Sequence, residues 1–92
     1  MTVTIGHLTF DHATYDPDGD VLYLHVGEPQ AAADAEETPE GHAVRFGADG
    51  RVIGVTIVNA KWLRDQGQPI VITIPERVAV DPSELGPAID AA

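Results

Sequence analysis

The chain repeats itself once, and the repeat limits what it can fold into. YDPDGDVLYLHV, from Tyr15 to Val26, returns 31 residues later as FGADGRVIGVTI, from Phe46 to Ile57. Tyr15 aligns with Phe46, Asp18-Gly19 with Asp49-Gly50, Leu22 with Ile53, Leu24 with Val55 and Val26 with Ile57. In each copy a turn signal precedes apolar residues at alternate positions, the period of a half-buried strand. Two copies are too few for a solenoid, which needs at least three stacked units. The repeat therefore predicts two antiparallel hairpins in one small sheet or barrel.

Face parity sharpens the second hairpin. Asp49-Gly50 as a two-residue type I′ turn pairs Phe46 with Ile53, Val44 with Val55, and His42 with Ile57. The large apolar residues then share one face and Ala43, Arg45 and Thr56 the other; a one-residue slip would scatter them. The first hairpin admits two registers. One sets His12 opposite His25. The other is a three-residue loop closing on Asp16 and Asp20, which gathers Phe10, His12, Leu22, Leu24 and Val26 but opposes two aspartates.

Asp16, Asp18 and Asp20 invite comparison with a calcium loop, which needs acids at positions 1, 3 and 5, glycine at 6 and glutamate at 12. The three aspartates fit, but Val21 stands at position 6 and Gly27 at position 12. Asp16-Pro17-Asp18-Gly19 supplies what a type I turn prefers, and the run reads as a turn. The candidate metal ligands are His12, His25, Asp16, Asp18 and Asp20, with Asp11 near the histidines in one register. No two histidines have helical spacing, and a zinc site takes three or four ligands. The plainer reading makes His12 a hydrogen-bonded core residue and puts His7, His25 and His42 on the rim.

Beyond the second copy, NAKWLRDQGQP predicts a short helix with Asn59 as N-cap, Trp62 and Leu63 inward, and Gly67 and Pro69 as its end. IVITIP, Ile70 to Pro75, predicts a buried strand. DPSE opens a second helix with Pro82 at N1 and Glu84 at N3, which Gly86-Pro87 should cut to a turn or two. Between the hairpins, the acidic EPQAAADAEETPEG predicts a loop with a short edge strand near Ala33 to Thr38. No linker divides the chain. The expected fold is mainly β (β-rich α+β) in a single domain, residues 1–92, with a two-hairpin core at 15–60 and a helix, a strand and an extension at 61–92.

Fifteen acids face five bases, a formal net charge of −10. The bases never cluster, which argues against direct contact with nucleic acid, where basic side chains must displace counterions. Such a surface favours solubility and rapid encounter with a basic partner. Without cysteine there is neither a disulfide nor a thiolate metal site. A basic leader and an apolar span are both missing, so the chain is expected in the cytoplasm and off the membrane. The only serine, Ser83, sits in a helix cap, and no glycine elbow or phosphate loop is present. No catalytic residue or cofactor is read from the chain, and with acids so abundant no carboxylate pair stands out. Trp62 either plugs the end of the sheet or anchors a partner, with Tyr23 as a second partner-binding candidate. The uncharged IVITIP run has no guard against edge pairing, from which a homodimer is expected.

YDPDGDVLYL followed by DGRVIGVTIVNA resembles the small bacterial proteins of domain of unknown function 2283, over about Tyr15 to Ala60. Their pattern is met at Tyr15, Asp16, Asp20, Leu22, Tyr23, Asp49, Gly50, Arg51 and Gly54, and departed from at Thr56, where glutamate is common. The resemblance implies a small β-rich fold without an established activity or catalytic residues. Through members regarded as antitoxins, it implies an antitoxin-like role beside a small toxin-like protein. The leading expectation is a non-enzymatic interaction module with a small basic partner. The alternative is a metal- or small-ligand-binding domain using aspartate and histidine, and a third reading is an uncharacterised enzyme.

Overall fold

The structure, a computed structural model, describes residues 2–28, 31–73 and 76–91. Strands β1 (Val3–Ile5) and β2 (Leu8–Phe10) form a hairpin. Then come β3 (His12–Asp16), β4 (Val21–His25), β5 (Asp34–Glu37), β6 (Ala43–Phe46) and β7 (Val52–Val58), in one antiparallel sheet of order β3-β4-β7-β6-β5. Helix α1 (Ala60–Asp65) leads to a second hairpin, β8 (Ile70–Thr73) with β9 (Arg77–Val80), and to α2 (Pro82–Asp90). The fold is strand-rich, as expected, with no closed barrel among the described residues. Among the described residues no helix is long and apolar enough to cross a membrane.

The repeat becomes a pseudo-twofold axis. The strands that follow the two turns, β4 and β7, lie side by side and antiparallel at the centre of the sheet. Leu24 pairs with Val55, its own equivalent in the other copy, so the axis runs through that pair. Leu22, Leu24, Val55 and Ile57 are all fully buried. Each contributes about 2 kcal/mol by leaving water. Against them pack Ile5 and Phe10 from the first hairpin, Ile70 and Ile72 from the last, and Leu85 and Ile89 from α2. The opposite face, with Thr14, Tyr23 and Thr56, stays open or half-open to solvent.

Turn chemistry decides the registers. In the β3–β4 hairpin Asp16 pairs with Val21 and His12 with His25, leaving a four-residue loop, Pro17 to Asp20. Asp20 closes the loop at φ 54°, a left-handed conformation that aspartate tolerates better than most residues. The three-residue alternative is thereby overturned. In the β6–β7 hairpin Val44 pairs with Val55 as read, but Phe46 pairs with Val52 rather than Ile53 because a bulge follows Arg45. The turn is not type I′, which needs φ > 0 at both central residues. Gly50 has φ 81° and Asp49 does not share it. Gly50 N donates to Gly47 O (3.0 Å) and Gly47 N to Arg51 O (2.8 Å), a type I turn closed by a glycine bulge. Gly50→Val should therefore lower stability by more than about 1 kcal/mol. An unchanged denaturation midpoint would contradict this turn.

Gly54 serves a different need. Paired with Arg45 on the outer face, it has no side chain to obstruct the guanidinium lying over it; a Cβ there would stand 2.8 Å from Arg45 Cζ.

The C-terminal third departs most from expectation. Trp62 does not face inward: it is 60% exposed, and Leu63 is half-buried. Helix α2 runs nine residues straight through Pro87. Proline forfeits one backbone bond there, to the Ser83 carbonyl, and burial of Leu85, Ala88 and Ile89 outweighs it. Asp81 caps this helix, accepting from Ser83 N at 2.9 Å and Ser83 Oγ at 2.8 Å. The strand expected to reach Pro75 is described to Thr73; Ile74 and Pro75 lie outside the described residues. Pairing with β9 occupies one edge of β8. The acidic loop carries its edge strand as β5.

Candidate functional site

The aspartate run is architectural. Asp16 Oδ1 accepts from Asp18 N at 3.1 Å, folding the loop onto itself. Asp20 reaches further: its Oδ1 accepts from Tyr15 Oη (2.7 Å) and Lys61 N (2.7 Å), and its Oδ2 from Trp62 N (3.2 Å). Its carbonyl accepts from Ala60 N at 3.1 Å. Asn59 does sit at the N-cap of α1, but in a left-handed conformation (φ 59°) with no side-chain capping bond. The orphan donors of the first turn are met instead by a carboxylate from a distant hairpin. Burial pushes the Asp20 carboxyl up, but Lys61 N–H, the Tyr15 hydroxyl and Trp62 N–H outweigh it and hold it below the ordinary value.

The same contact pushes the Tyr15 hydroxyl up to about 12, through its hydrogen bond to Asp20 first and desolvation second. An unfolded tyrosine ionises near 10. Above that pH the unfolded chain sheds a proton that the folded chain keeps. Stability linked to Tyr15 is thus complete below pH 10 and lost as pH rises toward 12. Tyr15→Phe should flatten that alkaline limb in urea titrations, and an unaltered limb would count against the bond.

The histidines also differ from expectation. His12 is exposed, not a core residue, and His42 is the buried one at 3% exposure. His12 and His25 stack across β3 and β4, ring centroids 4.5 Å apart and planes within 5°. His25 Nδ1 lies 3.1 Å from Gly27 O, and since a carbonyl only accepts, Nδ1 carries the proton. Asp11 Oδ1 stands 3.8 Å from His12 Nε2 but accepts from Gly27 N at 2.8 Å. A metal ion lies in the plane of each imidazole that binds it, and parallel planes share no such point. Asp16, Asp18 and Asp20 remain in their own loop, and no group of three or more His, Asp or Glu side chains comes together for a metal among the described residues.

A groove of about 460 Å³ opens where the β5–β6 turn, the end of β7, α1 and the start of β8 converge. Trp62, Leu63, Pro69, Ile70 and Val71 line it, together with the buried His42. Glu40 joins the rim. Its carboxylate accepts from Thr73 N (2.9 Å) and Thr73 Oγ1 (3.0 Å), tying the β5–β6 turn to β8. That turn repeats the bulge geometry seen before: Gly41 N donates to Thr38 O at 3.0 Å, and Gly41 has φ 89°. His42 Nδ1 accepts from Val58 N at 3.1 Å. Tyr23, 40% exposed on the outer face, does not line this groove.

Of the partner-binding candidates, the structure places Trp62 at a concave site and leaves Tyr23 apart from it. His42 and Glu40 were missed. The signal for His42 was present, because the register that opposed it to Ile57 had already put it on the apolar face.

The model of a family of proteins of unknown function, DUF2283, matches residues 12–61, more than half of the chain. The matched segment runs from the first residue of β3 to the α1 residue whose N–H Asp20 accepts. No curated protein and no solved structure matches the chain. On the family match, the chain belongs to the DUF2283 family of proteins of unknown function.

Proposed function

We propose that this protein is a non-enzymatic interaction module, antitoxin-like in role, whose partner is a small basic protein. The observation that carries the reading is Trp62, 60% exposed at the rim of an apolar groove, on a helix whose first turn is pinned by Asp20. Tryptophan is enriched among the few residues that dominate binding energy, and a rigidly held one loses little freedom on association. Charge supplies the partner's sign. The net is −10, and two of the five bases, Arg51 and Arg64, already pair with acids. A surface of this kind accelerates encounter with a cationic protein and repels an anionic one. The metal-binding alternative gains no such support, because the loop carboxylates hold their own turn and helix.

The test places a photo-crosslinking residue at Gln66, exposed one turn beyond Trp62, in the native host. A captured basic protein is then purified and titrated. Trp62→Ala should weaken binding by about 30-fold, the 2 kcal/mol of a hot spot, and raised salt should slow association. An acidic partner, or equal affinity for Trp62→Ala, would overturn the reading.

A further inference from the structure

We infer that the outer face of the sheet carries an oxyanion site on Arg45: its guanidinium, lying over Gly54, takes a carboxylate or phosphate group side-on through Nε–H and a neighbouring Nη–H. Neither residue lines the groove beside Trp62, so the site stands or falls without the interaction reading.

Strand register assembles the row that holds it. His12 pairs with His25, His25 with Gly54, Gly54 with Arg45, and Arg45 with Ala35. Side chains alternate along each strand, and the adjoining Leu24, Val55 and Val44 are buried in the core, so this row lies on the outer face. Glycine leaves one place in the row without a side chain, and Arg45 fills it: a Cβ on Gly54 would stand 2.8 Å from Cζ and 2.9 Å from Nε. The guanidinium is thereby next in line to His25, whose ring stacks on that of His12. Gly54 takes no left-handed φ. It is the space above its backbone that excludes a larger residue.

Arg45 Nε is buried and has no hydrogen-bond partner among the described residues. A guanidinium does not give up its proton, so this N–H stays a charged donor without an acceptor, which is uncommon in a native protein. None of the ion pairs among the described residues includes Arg45. Its row supplies imidazole, glycine and alanine but no carboxylate. The nearest acid on that face by register is Glu37, opposite Ala43 and therefore diagonal to Arg45. What the row lacks is a negatively charged acceptor.

Geometry narrows the ligand. Arg45 as a whole is half-buried, so its side chain is not sealed off. Gly54 has no side chain to hold the guanidinium down, and a slight lift presents Nε–H and the adjacent Nη–H together. Two parallel donors match two oxygens of one carboxylate or phosphate, a fork that lysine cannot offer. The net charge of −10 weakens such a site without closing it, because at 0.1 M salt exposed charges beyond about 10 Å are largely screened.

Titration of the whole chain with acetate and, separately, with inorganic phosphate at constant ionic strength tests this. The readouts are the NMR signal of Arg45 Nε–H and the melting temperature. The signal should shift and saturate with a Kd on the order of 1–10 mM, which a bidentate charged pair supports. Chloride at the same ionic strength should leave it in place. Tighter binding of acetate assigns a carboxylate ligand, and tighter binding of phosphate a phosphoryl group. Arg45→Lys keeps the charge without the fork and should bind about tenfold more weakly. Arg45→Met covers Gly54 with apolar atoms and leaves no donor unpaired, so in chloride it should melt at or above wild type. In about 50 mM acetate wild type should gain several degrees and Arg45→Met none, since only a ligand of the folded state stabilises it. Gly54→Ala should displace the guanidinium and weaken binding at least about fivefold while the amide spectrum keeps the sheet. An Arg45 signal unmoved by either anion, an equal shift in chloride, equal stabilisation of Arg45→Met by acetate, or unchanged binding by Gly54→Ala would each overturn the site.

Discussion

Asp20→Ala should lower the unfolding free energy by about 2–3 kcal/mol, read as a fall in the urea midpoint at constant slope. Loss of the carboxylate leaves the first turn of α1 uncapped, typically about 1 kcal/mol. Alanine at φ 54° adds about 1–2 kcal/mol, because a Cβ crowds the following carbonyl in the left-handed region. The Tyr15 hydroxyl also loses its acceptor. The half-exposure of Asp20 keeps the electrostatic part of the sum modest. Asp20→Asn tolerates the backbone conformation and retains one acceptor, so it should lose about half as much. It should also flatten the acid limb: the Asp20 pKa is depressed in the folded state, so its contribution is complete above the ordinary value and disappears as pH falls through the folded one. Because Asp20 holds the turn that carries Trp62, the alanine variant should change tryptophan emission before the sheet unfolds. A midpoint equal to wild type would mean that Lys61 N–H and Trp62 N–H are served by water alone.

What the sequence made legible was whatever depends on neighbours along the chain. The alternation in Leu22, Leu24, Val55 and Ile57 identified the central strands, and the second copy foretold that they would be alike. The existence of each turn was legible for the same reason. Its type was not, because Asp-Gly serves both a two-residue turn and a three-residue one, and only the backbone angle at Asp49 separates them. The cap of α1 was hidden by distance. Local rules point to Asn59, whereas Asp20 reaches the helix only after the sheet has set β4 beside β7. His42 and His12 were exchanged for a related reason: aligning Phe10 with His12 assumed one strand, but the chain turns at Asp11 between β2 and β3. Trp62 was assigned inward on hydrophobicity, and the short helix leaves it out.

Helix α2 was the largest underestimate, and its removal should have the largest effect. A helix of a turn or two would be a loose cap, dispensable to the core. The nine-residue helix instead buries Leu85 completely, with Ala88 at 6% and Ile89 at 4% exposure, against the same cluster as Val3, Ile5 and Tyr15. Leu85→Ala alone should reduce stability by about 3 kcal/mol, within the range for a leucine whose site cannot collapse. A domain of this size has about 5–10 kcal/mol in all. Deleting Asp81–Ala92 removes three buried side chains at once and frees Arg64 from its 2.8 Å pairing with Asp90. That loss approaches the whole stability, so the truncated chain should show no cooperative thermal transition and should bind a hydrophobic dye. The inner face that α2 covers would then join the exposed edges of β3 and β5 as surface for aggregation. A truncated chain that melts cooperatively within a few degrees of the full one would show that the sheet and its two hairpins hold the core without α2.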